Sequence, residues 1–120
     1  MQSLANNAEL VVASHGIESP HPVFCYGSRG ALELWELEWD SFVCLESRFT
    51  AEPTEREERA RLLKAVSENG FIDNYSGVRV SSTGNSRFRI HNATIWNVST
   101  GDGQIVGQAV MFPRKSIEQM

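Results

Sequence analysis

Hydrophobic and polar positions divide the chain into a strand-like opening, a helical middle and three long alternating runs. Leu10-Val11-Val12-Ala13-Ser14 and Val23-Phe24-Cys25-Tyr26 are apolar, β-branched and aromatic, and predict two short strands. His15 to Pro22 separates them with two prolines and a glycine, which predicts a loop. Ser28 stands where a helix N-cap belongs, ahead of a short helix whose inner face carries Ala31, Leu32 and Trp35. A second short helix or turn is expected around Trp39 to Phe42.

The clearest helical period runs from Glu55 to Asn69. Thr54 and Glu57 have the spacing of a capping box, and Glu55, Glu57 and Glu58 put negative charge at the positive helix end. Leu62, Leu63 and Val66 form the inward stripe, with Arg59 one turn earlier on the same side. Gly70 is placed to cap the C-terminus.

Three strands are expected next, Tyr75 to Ser82, Arg87 to Val98 and Ile105 to Phe112, joined by turns at Gly84-Asn85 and Gly101-Asp102-Gly103. In the first of these, Val78 and Val80 alternate with Tyr75, Gly77, Arg79 and Ser81. In the second, Phe88 and Ile90 alternate with Arg87, Arg89 and His91. Adjacent bulky residues at Ile95 and Trp96 predict a kink near Asn92-Ala93. The order β-β-α-α-α-β-β-β predicts an α+β domain, an antiparallel five-stranded sheet with short helices packed on one face. Residues 1–8 read as a flexible leader, 9–113 as the single domain and 114–120 as a short tail.

Composition changes this picture little. A chain of 120 residues with 41% hydrophobic and 22% charged positions fits one globular domain. Its net charge of −4 argues against non-specific nucleic-acid binding. No apolar run approaches the ~18 residues needed to span a membrane. The N-terminus lacks the basic and hydrophobic regions of a secretory signal, so a cytoplasmic protein is expected. Cys25 and Cys44 are too few for a disulfide framework and, among apolar neighbours, are expected to be buried thiols. The N-x-S/T triplets at Asn74, Asn92 and Asn97 fall on strand-like segments, where a glycan would disrupt pairing.

Five blocks in order, FCYGSRGALELWELEWDSF, LESRFTAEPTEREERARLL, GFIDNYSGVRVSSTGNSRFRI, ATIWNV and GQAVMF, closely resemble the MEKHLA domain, a PAS-related family. Members occur at the C-terminus of plant homeodomain–leucine-zipper factors and as small separate bacterial and algal proteins. The resemblance runs from about Leu10 to Phe112, and its most specific piece is Tyr75 to Ser82 followed by Arg87-Phe88-Arg89-Ile90. It implies a PAS-like sheet with a space beneath the helices that can hold a small ligand. PAS-type domains often carry asparagine entering the first helix, where this chain has Ser28; serine caps a helix equally well. No attached output module is seen, so a role in modulating a transcription factor in cis does not carry over.

On that fold, Tyr26, Leu63, Phe88, Trp96 and Gln108 are the candidate pocket residues, the alternative being that the aromatics are simply core. Gln108 stands out as a polar side chain within an apolar strand, where it needs a partner. Arg79, Arg87 and Arg89 lie within eleven residues that hold no acid, and could bind a carboxylate, a phosphate or a partner. The alternative is a solvated sheet face, or pairing with Glu52 and other acids. The photosensory branch of the PAS superfamily places a cysteine before an Arg-Phe pair to form a flavin adduct. Here Ser47 precedes Arg48-Phe49 and Cys44 comes three residues too early. Haem would need an axial histidine, and His91 has the outward phase.

His15, His21 and His91 show no metal-binding grouping, and Ser81 and Ser82 have no nearby base. The sequence therefore names no catalytic residue, no metal and no cofactor. It supports a PAS-like regulatory domain, expected as a homodimer, acting through a small-molecule ligand or a protein partner. The alternatives are a small enzyme or ligand carrier using the same cavity, and a structural dimerisation unit with an apolar patch at Val78, Val80 or Ile95.

Overall fold

Burial of alternate side chains draws the strand-forming runs into one antiparallel sheet, described for residues 9–18, 20–84 and 86–120 in a computed structural model. Its strands are β1 (Leu10–His15), β2 (Phe24–Gly27), β3 (Phe71–Val80), β4 (Arg87–Ser99) and β5 (Ile105–Pro113), in the order β2-β1-β5-β4-β3. The five expected strands are present and a sixth is added. β4 outruns β5, and after a tight turn at Arg114–Ser116 the two-residue strand β6 (Glu118–Gln119) pairs with Phe88 and Arg89. The expected leader, residues 1–8, lies outside the described residues.

The helices α1 (Arg29–Trp35), α2 (Trp39–Phe42) and α3 (Arg56–Asn69) lie between β2 and β3 in sequence, with 3-10 turns at Ser47–Thr50 and Pro53–Glu55. Ser28 caps α1 as expected: its Oγ accepts the Ala31 N–H at 3.3 Å and the Val12 N–H at 3.0 Å, tying the helix start to β1. The capping box at Thr54 and Glu57 does not form. The turn at Pro53–Glu55 already bonds the Glu55 N–H to the Glu52 carbonyl, so Thr54 sits inside a turn and α3 begins at Arg56 with no side-chain cap. Gly70 ends α3 at φ 95°, with its N–H on the Val66 carbonyl.

Phe24, Trp35, Phe42, Phe88 and Phe112 form the centre of the core between sheet and helices. Trp35 lies 6.2–6.4 Å from the other four rings, and Phe24 stacks on Phe42 at 4.3 Å. Leu62 and Val66 of α3 pack on Ile95 in a second cluster. Burying these side chains contributes roughly 1.5–3 kcal/mol each.

Two backbone irregularities decide which side chains face inward. Asn92 adopts φ 58° within β4, and the buried positions change from Phe88 and Ile90 before it to Ala93 and Ile95 after it. Asn74 adopts φ 53°, and β3 slips register on either side of Tyr75. Beyond the slip, Gly77 pairs with Ile90 and Arg79 with Phe88. Cross-strand partners share a face, so Tyr75, Gly77 and Arg79 join the inner face while Val78 and Val80 share the outer one with Arg89 and Arg87. Both cysteines are exposed, contrary to expectation, Cys25 on the edge strand β2 and Cys44 in the loop after α2.

Candidate functional site

A cavity of about 60 Å³ lies between the sheet and α3. Leu62, Leu63, Ile90, Ile95, Val110 and Phe112 give it apolar walls. Its polar lining includes residues from five separate segments: His15 on β1, Thr50 on the turn after α2, Arg59 on α3, Arg79 on β3 and Gln108 on β5. No acidic residue is among the described lining.

His15, Arg59 and Gln108 are members of one hydrogen-bonded chain. Arg59 Nη2 donates to Ser47 Oγ at 2.7 Å, and Ser47 Oγ is also 2.7 Å from His15 Nδ1. A guanidinium has no acceptor, so the Ser47 oxygen accepts from Arg59; its own proton has His15 Nδ1 at 2.7 Å and the Pro22 carbonyl at 3.4 Å within reach, and the nearer acceptor takes it. The imidazole proton then sits on Nε2, facing Gln108 Oε1 at 3.2 Å. That leaves the Gln108 amide nitrogen to donate to the Leu63 carbonyl at 2.9 Å and to Asn97 Oδ1 at 3.3 Å. Asn97 Nδ2 closes the circuit on the Val66 carbonyl at 3.1 Å. Both ends of the chain therefore rest on α3.

Burial, with the charge of Arg59 beside it, lowers the His15 pKa below 6.5, in keeping with the neutral tautomer that the chain requires. Arg59 is itself pulled down to about 10, first by burial and then by the charge of Arg79, and stays protonated at neutral pH.

Arg79 has different partners. Nη1 donates to the Val78 carbonyl at 2.7 Å and Nη2 to Tyr75 Oη at 3.2 Å, and Tyr75 Oη donates in turn to Glu58 on α3 at 3.2 Å. Burial raises the Tyr75 pKa, so the phenol remains a donor to that carboxylate. Gly77 makes this possible: a Cβ there would collide with Tyr75 Oη, so only glycine lets the ring fold back along its own strand. Neither Arg59 nor Arg79 makes an ion pair among the described residues.

The candidate residues named from sequence divide accordingly. Leu63 and Gln108 line the cavity. Phe88 is fully buried in the adjoining core and does not reach the lining. Tyr26, on the edge strand, packs edge-on against Trp39 of α2, away from the cavity. Trp96 lies on the opposite face of the sheet, because Asn92 inverts the alternation and gives the inward position to Ile95. The arginine trio is also split. Arg79 turns in, whereas Arg87 pairs with Glu52 and Arg89 lies 3.7 Å from Glu118 on the outer side. His91 faces outward as expected, bonded to Ser76 and Glu118. The apolar sheet patch that a dimerisation unit would need at Val78, Val80 or Ile95 is absent among the described residues, since Val78 and Ile95 are buried; of the exposed aromatics Trp39, Phe49 and Phe71, it is Phe71 that lies on the outer sheet face, paired with Trp96.

Sequence reasoning missed His15, Ser47, Arg59, Trp35 and Asn97 as site residues. Arg59 carried a legible signal, a charge on the apolar stripe of a helix. Ser47 and His15 carried none, since they meet only through the fold. Their pairing has the spacing of a nucleophile and its base, but Ser47 is fully buried, outside the cavity lining, and receives the Arg59 donor. The other partner of the histidine is an amide rather than a carboxylate. This is the chemistry of a strut, not of an activated hydroxyl.

The family model described as the MEKHLA domain matches residues 1–117. The chain belongs to the MEKHLA domain family. No curated protein matches it by sequence.

Among solved structures, this MEKHLA domain is similar to the PAS domain of a protein from Colwellia psychrerythraea, with a TM-score of 0.71, 11% identity, and 92% of this chain and 86% of that one covered. It is also similar to a light-oxygen-voltage domain studied with a flavin analogue, with a TM-score of 0.70, 17% identity, and coverage of 94% and 78%. A third match is the photo-excited blue-light photoreceptor Vivid, with a TM-score of 0.65, 14% identity, and coverage of 94% and 82%. At these identities the likeness shows the fold, a PAS-type α+β sheet.

The residues of this MEKHLA domain do not fit a cysteinyl-flavin adduct. Ser47 stands before Arg48-Phe49, and its hydroxyl is spent on Arg59 and His15. A cavity of about 60 Å³ also falls far below the roughly 300–1,000 Å³ of sites for drug-sized ligands. Among the described residues, no helix is long and apolar enough to cross a membrane.

Proposed function

We propose that this MEKHLA domain is a sensory or regulatory module whose cavity takes a small ligand and whose occupancy is passed on through α3 to protein contacts. One observation carries the reading: the hydrogen-bonded chain from Arg59 through Ser47, His15, Gln108 and Asn97 joins the cavity wall to both ends of its span on α3. A ligand that moves Arg59 or Gln108 changes what holds the helix to the sheet. It shifts a conformational equilibrium by as much as its affinity for the two arrangements differs. The outer sheet face supports a second copy of the chain as the partner, because Phe71 is 59% exposed beside half-buried Trp96.

The test combines native mass spectrometry with hydrogen exchange. A retained small molecule, and altered protection of α3 and of Ser47–Thr50 on its removal, support the reading. Retention with unchanged exchange in both segments favours a carrier instead. A monomer that stays monomeric at high concentration removes the second-copy part.

A further inference from the structure

Everything polar that the cavity offers without a ready acceptor is a donor. The two guanidiniums carry ten N–H groups between them. Among the described residues they make three hydrogen bonds, to Ser47 Oγ, the Val78 carbonyl and Tyr75 Oη. Trp35 Nε1, in a residue that also lines the cavity and is 4% exposed, is buried with no hydrogen-bond partner among the described residues. A buried donor is ordinarily satisfied, and the unpaired Trp35 N–H costs free energy. Arg59 and Arg79 are close enough for one charge to depress the ionisation of the other, and the described lining holds no acid.

Charge sets the valence of the matching ligand. Among the described residues, the carboxylate that bears on these two buried cations is Glu58, which reaches Arg79 only through the Tyr75 hydroxyl. One positive charge is left over. Size and polarity set the rest. At about 10–15 Å³ for each water-sized group, the cavity accommodates about four to six non-hydrogen atoms. Leu62, Ile90, Ile95 and Val110 give the cavity apolar lining for a tail.

We propose, resting on the cavity reading above, that the ligand is a small monocarboxylate with a short apolar tail. Its carboxylate lies between Arg59 and Arg79 and its tail against Ile95 and Val110. A planar carboxylate accepts paired N–H groups from a guanidinium fork, which favours arginine over lysine at such a site.

Titration of the ¹⁵N-labelled protein with butyrate, butyramide and inorganic phosphate tests this. Butyrate should shift the arginine Nε–H signals and the indole N–H of Trp35, leaving those of Trp39 and Trp96 in place. Butyramide, of the same shape without the charge, should bind at least tenfold more weakly, as should phosphate. Arg79→Lys, which keeps the charge and loses the fork, should weaken butyrate about tenfold. The wild-type signals alone decide the matter if that variant folds poorly. Butyramide matching butyrate, or phosphate displacing it, overturns the carboxylate assignment while leaving a ligand-binding cavity. No shift with any probe, and no molecule retained in native mass spectrometry, overturns both.

Discussion

His15 on β1 and Arg59 on α3 are each hydrogen-bonded to one atom, Ser47 Oγ, at 2.7 Å in both cases. The hydroxyl works as an adaptor, accepting from a cation and donating to a neutral ring. Without it a protonated arginine and a basic nitrogen would be left without these partners in the protein interior. The contact fixes the tautomer of His15 and, through it, the orientation of Gln108 in the cavity.

Ser47→Ala should therefore cost more than a surface serine. It deprives a buried charged donor and an imidazole nitrogen of their partner at once, a loss of about 2–3 kcal/mol. Urea denaturation measures it. A loss under about 0.5 kcal/mol, within the range of ordinary surface substitutions, would mean that the adaptor does not hold α3 in place.

Acidification should weaken the domain through His15. Its folded pKa lies below the unfolded value of 6.5, so the unfolded chain takes up the proton more readily. The contribution is fully present above pH 6.5 and is lost progressively as pH falls toward the folded pKa. His15→Gln, which has no titrating group, should show a flatter midpoint between pH 7 and the onset of carboxylate titration. Parallel pH profiles for the two proteins would contradict the assignment.

Asn92 should tolerate glycine and reject valine. Its φ of 58° is a left-handed conformation that asparagine and glycine adopt and a β-branched residue resists. Asn92→Val should lose about 1–2 kcal/mol, and Asn92→Gly should stay within about 0.5 kcal/mol of the parent. Equal losses would show that the side chain rather than the backbone matters at this exposed position.

Gly77→Ala should displace the Tyr75 hydroxyl. The added methyl meets Oη directly, so the ring must move away from Arg79 and Glu58. The expected cost is about 1–3 kcal/mol, with a change in Tyr75 fluorescence or in its ring resonances. An unchanged tyrosine environment would refute this account of the glycine.

Arg79→Met should separate stability from function. A buried guanidinium without an ion pair gains little net stability, and a similar-sized apolar side chain replaces it within about 1 kcal/mol. Thermal denaturation without ligand should place the variant close to the parent, and butyrate should no longer raise its midpoint. A collapse in stability would make Arg79 a structural residue.

The helical period of α3, the cap at Ser28, the positive-φ stop at Gly70 and the kink near Asn92 were all legible in sequence, because each is written in neighbouring residues. The capping box at Thr54 was a local signal overruled by another, the tight turn beginning at Pro53. Trp96 was misplaced although the kink before it was expected, because counting alternate residues across a kink gives the wrong face. Which way Arg79 faces was left open in sequence, because the valines that alternate with it are the more apolar set. Pairing of β3 with the deeply buried Phe88 and Ile90 overrides that local preference.

By itself the sequence determined the family, the element order and the antiparallel α+β sheet, since periodicity and turn chemistry act over a few residues. Only the tertiary structure decided the site. The partners that form it are 12, 32 and 93 positions apart, for Arg59–Ser47, His15–Ser47 and His15–Gln108 respectively. Which of them face one another depends on strand register and on the left-handed turn at Asn92. Register is a collective outcome of burying the whole core, and no short stretch of the chain encodes it.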